Sequence, residues 1–203
     1  MSQATHRKRM PAAERRPEVL DAATHVFAER GWGGATTAAI AQLADINEAL
    51  VFRYFGSKQA LYPACIDASW ERVEQSCEAL LAAETDVARH WRMPGRTFIA
   101  LTRDAPHVAR LWARALAETT GIPAVDNHLA ASMRRAHEYV VVLLERSQAA
   151  GGIAGDRDLR AEAWMIVALG WLGITSERLG PDVTGEFDGV LRSHRSWLTG
   201  DPE

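Results

Sequence analysis

Apolar residues along this 203-residue chain recur at intervals of three and four, and stretches of strict alternation are scarce. That spacing lays a stripe along one face of a helix, whereas a half-buried strand needs a period of two. Val19, Leu20, Ala23, Val26 and Phe27 make the first stripe, with Pro17 suited to a first turn and Gly31 to a helix end. The pattern predicts a helix over 17–30. Thr37, taken as a cap, opens a short second helix to about Ala44 that carries Ile40, Ala41 and Leu43. Asp45 and Ile46 then make a tight connection to a third helix, capped by Asn47 and running through Phe55.

Residues 49–58, ALVFRYFGSK, are strand-like in composition. Caps on both sides and a helical partner before them outweigh that weak propensity. Read as a helix, Val51 and Phe55 share an inner face toward Ile40 and Phe27, and Glu48, Phe52 and Arg53 face elsewhere. Longer helices are predicted at about 58–83, 86–101, 105–119, 125–149, 158–178 and 184–198, with glycine and proline breaks at 121–123, 151–155 and 180–181. The expectation is an all-α chain of about nine helices, without solenoid repeats or low-complexity tracts.

Composition narrows the class. Hydrophobic residues at 47% and charged residues at 24% are ordinary for a soluble globular chain. Residues 1–60 hold eight Lys/Arg against six Asp/Glu, and 61–203 hold fifteen against twenty, so any polyanion should meet the first segment. Cys65 and Cys77 lie on one predicted helix and cannot reach each other along it, which suits buried thiols in a reduced interior better than a disulfide or metal pair. No apolar run approaches the roughly 18 residues a membrane span needs, and a signal-peptide core is missing, so a cytoplasmic protein is expected. The seven histidines are scattered outside any HExxH pattern, and CxxC, Gly-x-Ser-x-Gly, Rossmann and Walker fingerprints are absent. No catalytic group, metal site or cofactor is therefore assigned, and no enzyme is expected.

Three short helices, the last two joined by a tight turn, form a helix-turn-helix unit whose third helix enters a DNA major groove. The segment VLDAATHVFAERGWGGATTAAIAQLADINEALVFRYFGSKQALY resembles the DNA-binding domain of the TetR repressor family. Phe27 and Gly31, Thr36-Thr37, Ile40-Ala41, Ala44, and Phe55 with Ser57-Lys58 carry the likeness. The resemblance implies a DNA-reading domain over 17–62, a divergent helical domain over 63–203 that binds a small effector, and a homodimer. Residues 1–16 form a basic arm, with Arg7, Lys8, Arg9, Arg15 and Arg16, that enters a minor groove, tracks phosphates or is simply a solvated tail.

Candidate DNA contacts follow. Thr36, Thr37 and Lys58 are placed as phosphate clamps around Asn47, Glu48, Ala49, Leu50, Phe52, Arg53 and Tyr54. The Arg53 fork suits a guanine edge, with a phosphate contact as the alternative. Glu48 and Phe52 depart from the lysine and tyrosine that many relatives carry. Glu48 repels phosphates but can accept from a cytosine amino group, and Phe52 lacks a hydroxyl for a phosphate.

In the remainder, two stripes suggest self-association: Trp164, Val167, Trp171 and Leu172, then Phe187, Val190, Leu191, His194, Trp197 and Leu198. Gly170 and Gly173 permit close approach beside the first. Trp91, Phe98, Leu101, Trp112, Leu116, Met133, His137, Tyr139 and Trp164 are candidate walls of an effector pocket, with His137 and Tyr139 as polar handles; the same residues describe a core equally well. The expected protein is a ligand-responsive regulator, taken as a repressor, that binds a palindromic double-stranded operator as a homodimer and is released by a small apolar or amphipathic effector. The alternative is a helical carrier or enzyme with a vestigial DNA-binding head.

Overall fold

The computed structural model describes residues 15–201; the side chains at 174–179, 181, 183 and 184, and the basic arm before Arg15, lie outside the described residues. Among the described residues there are nine α-helices and no strand: α1 Arg16–Gly34, α2 Thr37–Leu43, α3 Glu48–Phe55, α4 Lys58–Ala83, α5 Met93–Asp104, α6 Pro106–Ala117, α7 Pro123–Ala149, α8 Leu159–Leu179 and α9 Pro181–Thr199. A 3₁₀ segment, Val87–Arg92, precedes α5. None of the described helices is long and apolar enough to cross a membrane.

Local chemistry sets most of these bounds. The Asn47 side chain accepts from the Ala49 N–H at 2.8 Å, and the Ser57 side chain from the Ala60 N–H at 3.1 Å, so α3 and α4 each begin on a polar cap. Asp45, at φ +51, turns the chain between α2 and α3 in a left-handed conformation that aspartate tolerates. Thr36 caps α2, in place of the expected Thr37: its backbone is extended, and its hydroxyl accepts from the Ala39 N–H at 3.1 Å. The helix expected over 86–101 is divided. Pro94 has no N–H to donate and fits only a first turn, so α5 starts at Met93 behind the 3₁₀ segment, which Asp86 caps. For the same reason α9 starts at Pro181 rather than 184.

Packing joins the two expected domains more closely than a boundary at residue 62 suggests. One apolar cluster runs from Val19, Val26 and Phe27 of α1 through Ile40, Val51, Leu61 and Cys65 to Leu111 of α6 and Leu129 of α7. The helix α4 continues without a break across that boundary. A second cluster joins Val140 and Leu144 of α7 to Ala163 of α8 and Leu198 of α9, and a third joins Cys77, Met93 and Leu143. Both thiols are free and buried, and burial pushes Cys65 up to about 12.

The end of α1 is clamped to α6. Gly31, at φ +67, breaks the helical backbone, and the Trp32 N–H donates to Glu118 Oε2 at 3.2 Å. Arg114 donates to Glu118 Oε1 at 2.7 Å and to the Glu29 carbonyl at 3.0 Å. A Cβ on Gly31 would lie 2.4 Å from the Glu118 carboxylate, so glycine serves here both for its backbone and for its lack of a side chain.

Candidate nucleic-acid interface and ligand cavity

Helix α3 is held from behind by Val51, which is buried, and by the half-buried Phe55. Asn47, Ala49, Phe52 and Arg53 are exposed, with Phe52 at 46%. An exposed phenylalanine beside an exposed arginine on a short helix offers one apolar and one bidentate contact to a groove. Arg53 lies 5.7 Å from the Tyr54 ring, and Tyr54 itself is edge-on to Phe55. Leu50 and Tyr54 are half-buried flanks rather than members of the exposed face.

Beyond the caps Thr36 and Asn47, the expected contacts Thr37, Glu48 and Lys58 are engaged within the protein. The Thr37 hydroxyl donates to Glu48 Oε1 at 2.5 Å, which ties the start of α2 to the start of α3. Lys58 turns inward: its ammonium donates to the Trp32 carbonyl and sits 4.4 Å from the Trp32 ring centre. Burial lowers its pKa. Thr36 remains exposed at the end of α2, and Arg16 lies 4.9 Å from the Phe55 ring, next to the helix that carries Arg53.

The larger domain forms a half-open cavity of about 150 Å³ between α4, α5, α6, α7 and α8. Phe98, Leu101, Trp112, Met133 and Tyr139 line it, as do Trp70, Val73 and Cys77 of α4 and Val167 and Trp171 of α8. The wall carries no charged side chain. The Trp112 indole N–H is buried with no hydrogen-bond partner among the described residues. The Tyr139 hydroxyl donates to Glu78 at 2.9 Å, and burial, then Cys77 and that carboxylate, raise the pKa of the phenol.

Four expected wall residues lie elsewhere. His137 is buried, but its Nε2 pairs with the Arg160 carbonyl at 2.9 Å and its ring stacks on Trp164 at 4.2 Å. Trp164 and Leu116 are exposed, and Trp91 packs against the α7–α9 cluster. The α4 side of the wall was missed although Trp70, Val73 and Cys77 fall at helical spacing; sequence gives no sign of which face of so long a helix meets a void.

The two stripes expected at a dimer interface also divide. Trp164, Leu172, Val190 and Trp197 are exposed, along with Met165. Val167 and Trp171 line the cavity, Leu198 is fully buried, and Phe187 and Leu191 are half-buried. His194 Nε2 and Trp197 Nε1 each lie 2.9 Å from the Glu162 carboxylate, so α8 and α9 are joined by a polar tie as well as by packing. Gly170 and Gly173 face Phe98: a Cβ at either would stand 3.3 or 3.2 Å from that ring.

Comparison with known proteins places this arrangement. Residues 19–65 match the family model described as bacterial regulatory proteins, tetR family. An HTH-type transcriptional repressor of Mycobacterium tuberculosis is 33% identical over 119 residues, which cover 53% of this chain and 63% of that protein. The transcriptional activator FasR of Mycolicibacterium smegmatis is 30% identical over 90 residues, 44% of this chain and 41% of FasR. A TetR family regulator from Agrobacterium tumefaciens shares the fold over 93% of this chain and 100% of its own, with a TM-score of 0.78 at 21% identity. FadR from Bacillus subtilis, solved in complex with stearoyl-CoA, aligns over 90% of this chain and 98% of its own, with a TM-score of 0.72 at 16% identity. The family match falls on α1, α2, α3 and the start of α4, the segment that builds the helix-turn-helix head, and over that segment the chain is similar to the tetR family of bacterial regulatory proteins, while it spans less than two thirds of the curated relatives it matches.

Proposed function

We propose that the chain is a ligand-responsive transcriptional repressor that binds a palindromic DNA operator as a homodimer and leaves it when a small apolar effector enters the cavity. The observation that carries this reading is the double role of α6. Leu111 and Ala115 pack into the cluster formed with α1, whereas Val108, Ala109 and Trp112 of the same helix line the cavity. A guest that displaces α6 therefore acts on the helix that supports the head. Its effect on the equilibrium is limited to its difference in affinity for the two states.

In this reading Arg53, Phe52 and Ala49 of α3 meet base edges, and Thr36 and Arg16 flank them at the backbone. Glu48 and Lys58 contribute by fixing the helix rather than by touching DNA, since both side chains are already paired. The second copy would pack on the exposed apolar residues of α8 and α9, among them Leu172 and Val190. Two copies read two half-sites about one helical turn, or ~34 Å, or multiples of it apart.

The effector is small and uncharged. A cavity near 150 Å³ holds a guest about the size of benzene, and its uncharged wall offers no partner to a carboxylate or an ammonium. One acceptor on the guest would suit the unpartnered Trp112 N–H.

Selection from random duplex DNA at near-physiological salt tests the proposal. Enrichment of an inverted repeat is the expected result, and it supplies the operator for measuring release by small aromatic compounds. Recovery of no common sequence by the ligand-free protein would overturn it. Sedimentation of the wild type and of Val190→Arg tests the assembly: a dimer that becomes monomeric supports it, and a wild-type monomer removes it.

A further inference from the structure

A cluster of side chains outside both the α3 face and the cavity joins α1, α4 and α6. Asp21 and His25 stand one turn apart on α1, and His107 reaches them from α6. Asp21 Oδ1 lies 3.4 Å from His107 Nε2, and Asp21 Oδ2 lies 3.8 Å from His25 Nε2. One donor atom from each residue falls within 4.8 Å of the others. An ion about 2.1 Å from each donor sets tetrahedral donors about 3.4 Å apart, close to the separations found, and to aim both Nε2 atoms at one ion the imidazoles must turn out of their stack. The two imidazoles are stacked, with centroids 3.7 Å apart.

Arg72 of α4 marks where a cation goes. Its NH1 donates to Asp21 Oδ1 at 2.9 Å and lies 3.3 Å from His107 Nε2. The guanidinium thus sets a positive charge between the Asp21 carboxylate and the His107 ring, the place an ion would take. Asp21, His25 and Arg72 line an open groove with Arg15, Glu18 and Ser69, so the cluster can be reached from solvent.

We propose that Asp21, His25 and His107 bind one divalent transition-metal ion of the zinc or cobalt type, which displaces Arg72 and ties α1 of the head to α6. Two imidazoles and one carboxylate suit borderline first-row metals, whereas magnesium and calcium prefer all-oxygen sites. Three protein ligands leave one position for water. The ion would act near the starts of α1 and α6, whereas the Gly31 and Glu118 clamp joins their ends.

Calorimetric titration of the full-length, chelator-treated protein with Zn²⁺, and the visible spectrum with Co²⁺, test the site without reference to DNA. One ion per chain is expected, with intense Co²⁺ bands of low coordination number. Asp21→Asn and His25→Ala alter half-exposed positions and should each weaken Zn²⁺ binding at least tenfold. Arg72→Ala, which removes the competing cation, should bind as tightly as the wild type or more tightly. His128→Ala, at a separate His–Asp pair with Asp67, should leave binding unchanged. Zn²⁺ should also raise the Tm of the wild type and not that of His25→Ala. Failure of the wild type to take up either metal, or uptake that survives in the Asp21→Asn/His25→Ala double variant, would overturn the site.

Discussion

Around Phe27 the side chains of α1, α2, α3, α4, α6 and α7 close on one another, whereas around Phe98 those of five helices close on a space of about 150 Å³. Phe27 is fully buried and Tyr62 meets it edge-on at 4.7 Å, in a cluster that holds α3 from behind. Phe98 is half-buried and rests on two glycines of α8, in a wall of mostly apolar side chains where the Tyr139 hydroxyl is tied to Glu78. The difference is one of tolerance. Filled packing fixes the direction of α3 closely, and a small void leaves the α5, α6 and α8 side room to adjust to a guest.

The strongest way to break this comparison is to truncate both rings. Phe27→Ala should cost about 3–5 kcal/mol of stability in urea unfolding, because the head cannot collapse into the hole. Phe98→Ala should cost less than half as much, since part of that ring already faces a void. Equal losses would show that the two regions are packed alike. Gly31→Ala comes next, at about 2 kcal/mol, from a left-handed backbone and a Cβ driven into the Glu118 carboxylate. Placing it in a Glu118→Ala background should recover part of the loss; full additivity in that cycle would mean that the clamp plays no role.

Arg53→Ala addresses the face that the packed head presents. It should leave unfolding unchanged, because the side chain is exposed, and weaken operator binding by about 1–3 kcal/mol while relaxing base preference at its contact. An unchanged operator profile would exclude Arg53 from base reading.

Legibility divides along the same line. In the head, the decisive signals are local: Asn47 and Ser57 cap helices two or three residues away, and Val51 follows from a single helical turn. The choice between Thr36 and Thr37 was harder, because either hydroxyl satisfies the pattern and only the extended backbone at Thr36 decides it. Lys58 shows another limit. A lysine at a helix start reads as a phosphate clamp, but here the Trp32 ring and carbonyl, twenty-six residues away, capture the ammonium. In the larger domain nearly every relevant fact is of this distant kind. Val167 and Trp171 share a stripe with Leu172, yet the stripe is wide enough to turn part toward the cavity and part toward solvent. His137 was expected as a polar handle, and a carbonyl on α8 takes it instead.

Among the packing variants, the smallest expected change in stability is also the most direct test of the void. Ala136 lines the cavity, and Ala136→Leu would put three more carbon atoms into its space. In a filled core such an insertion forces rotamers and backbone apart at about 1–3 kcal/mol. Here the added carbons occupy volume that is already open, and they gain dispersion contacts with the facing rings, so stability should stay within about 1 kcal/mol of the wild type. The effector should bind at least tenfold more weakly, because its space is taken, while operator binding without effector stays unchanged. A variant that folds well but no longer releases DNA would separate the cavity's role as a receptor from its role in packing. Loss of stability comparable with Phe27→Ala would mean that the space is too shallow to accept a side chain, and would place the effector elsewhere.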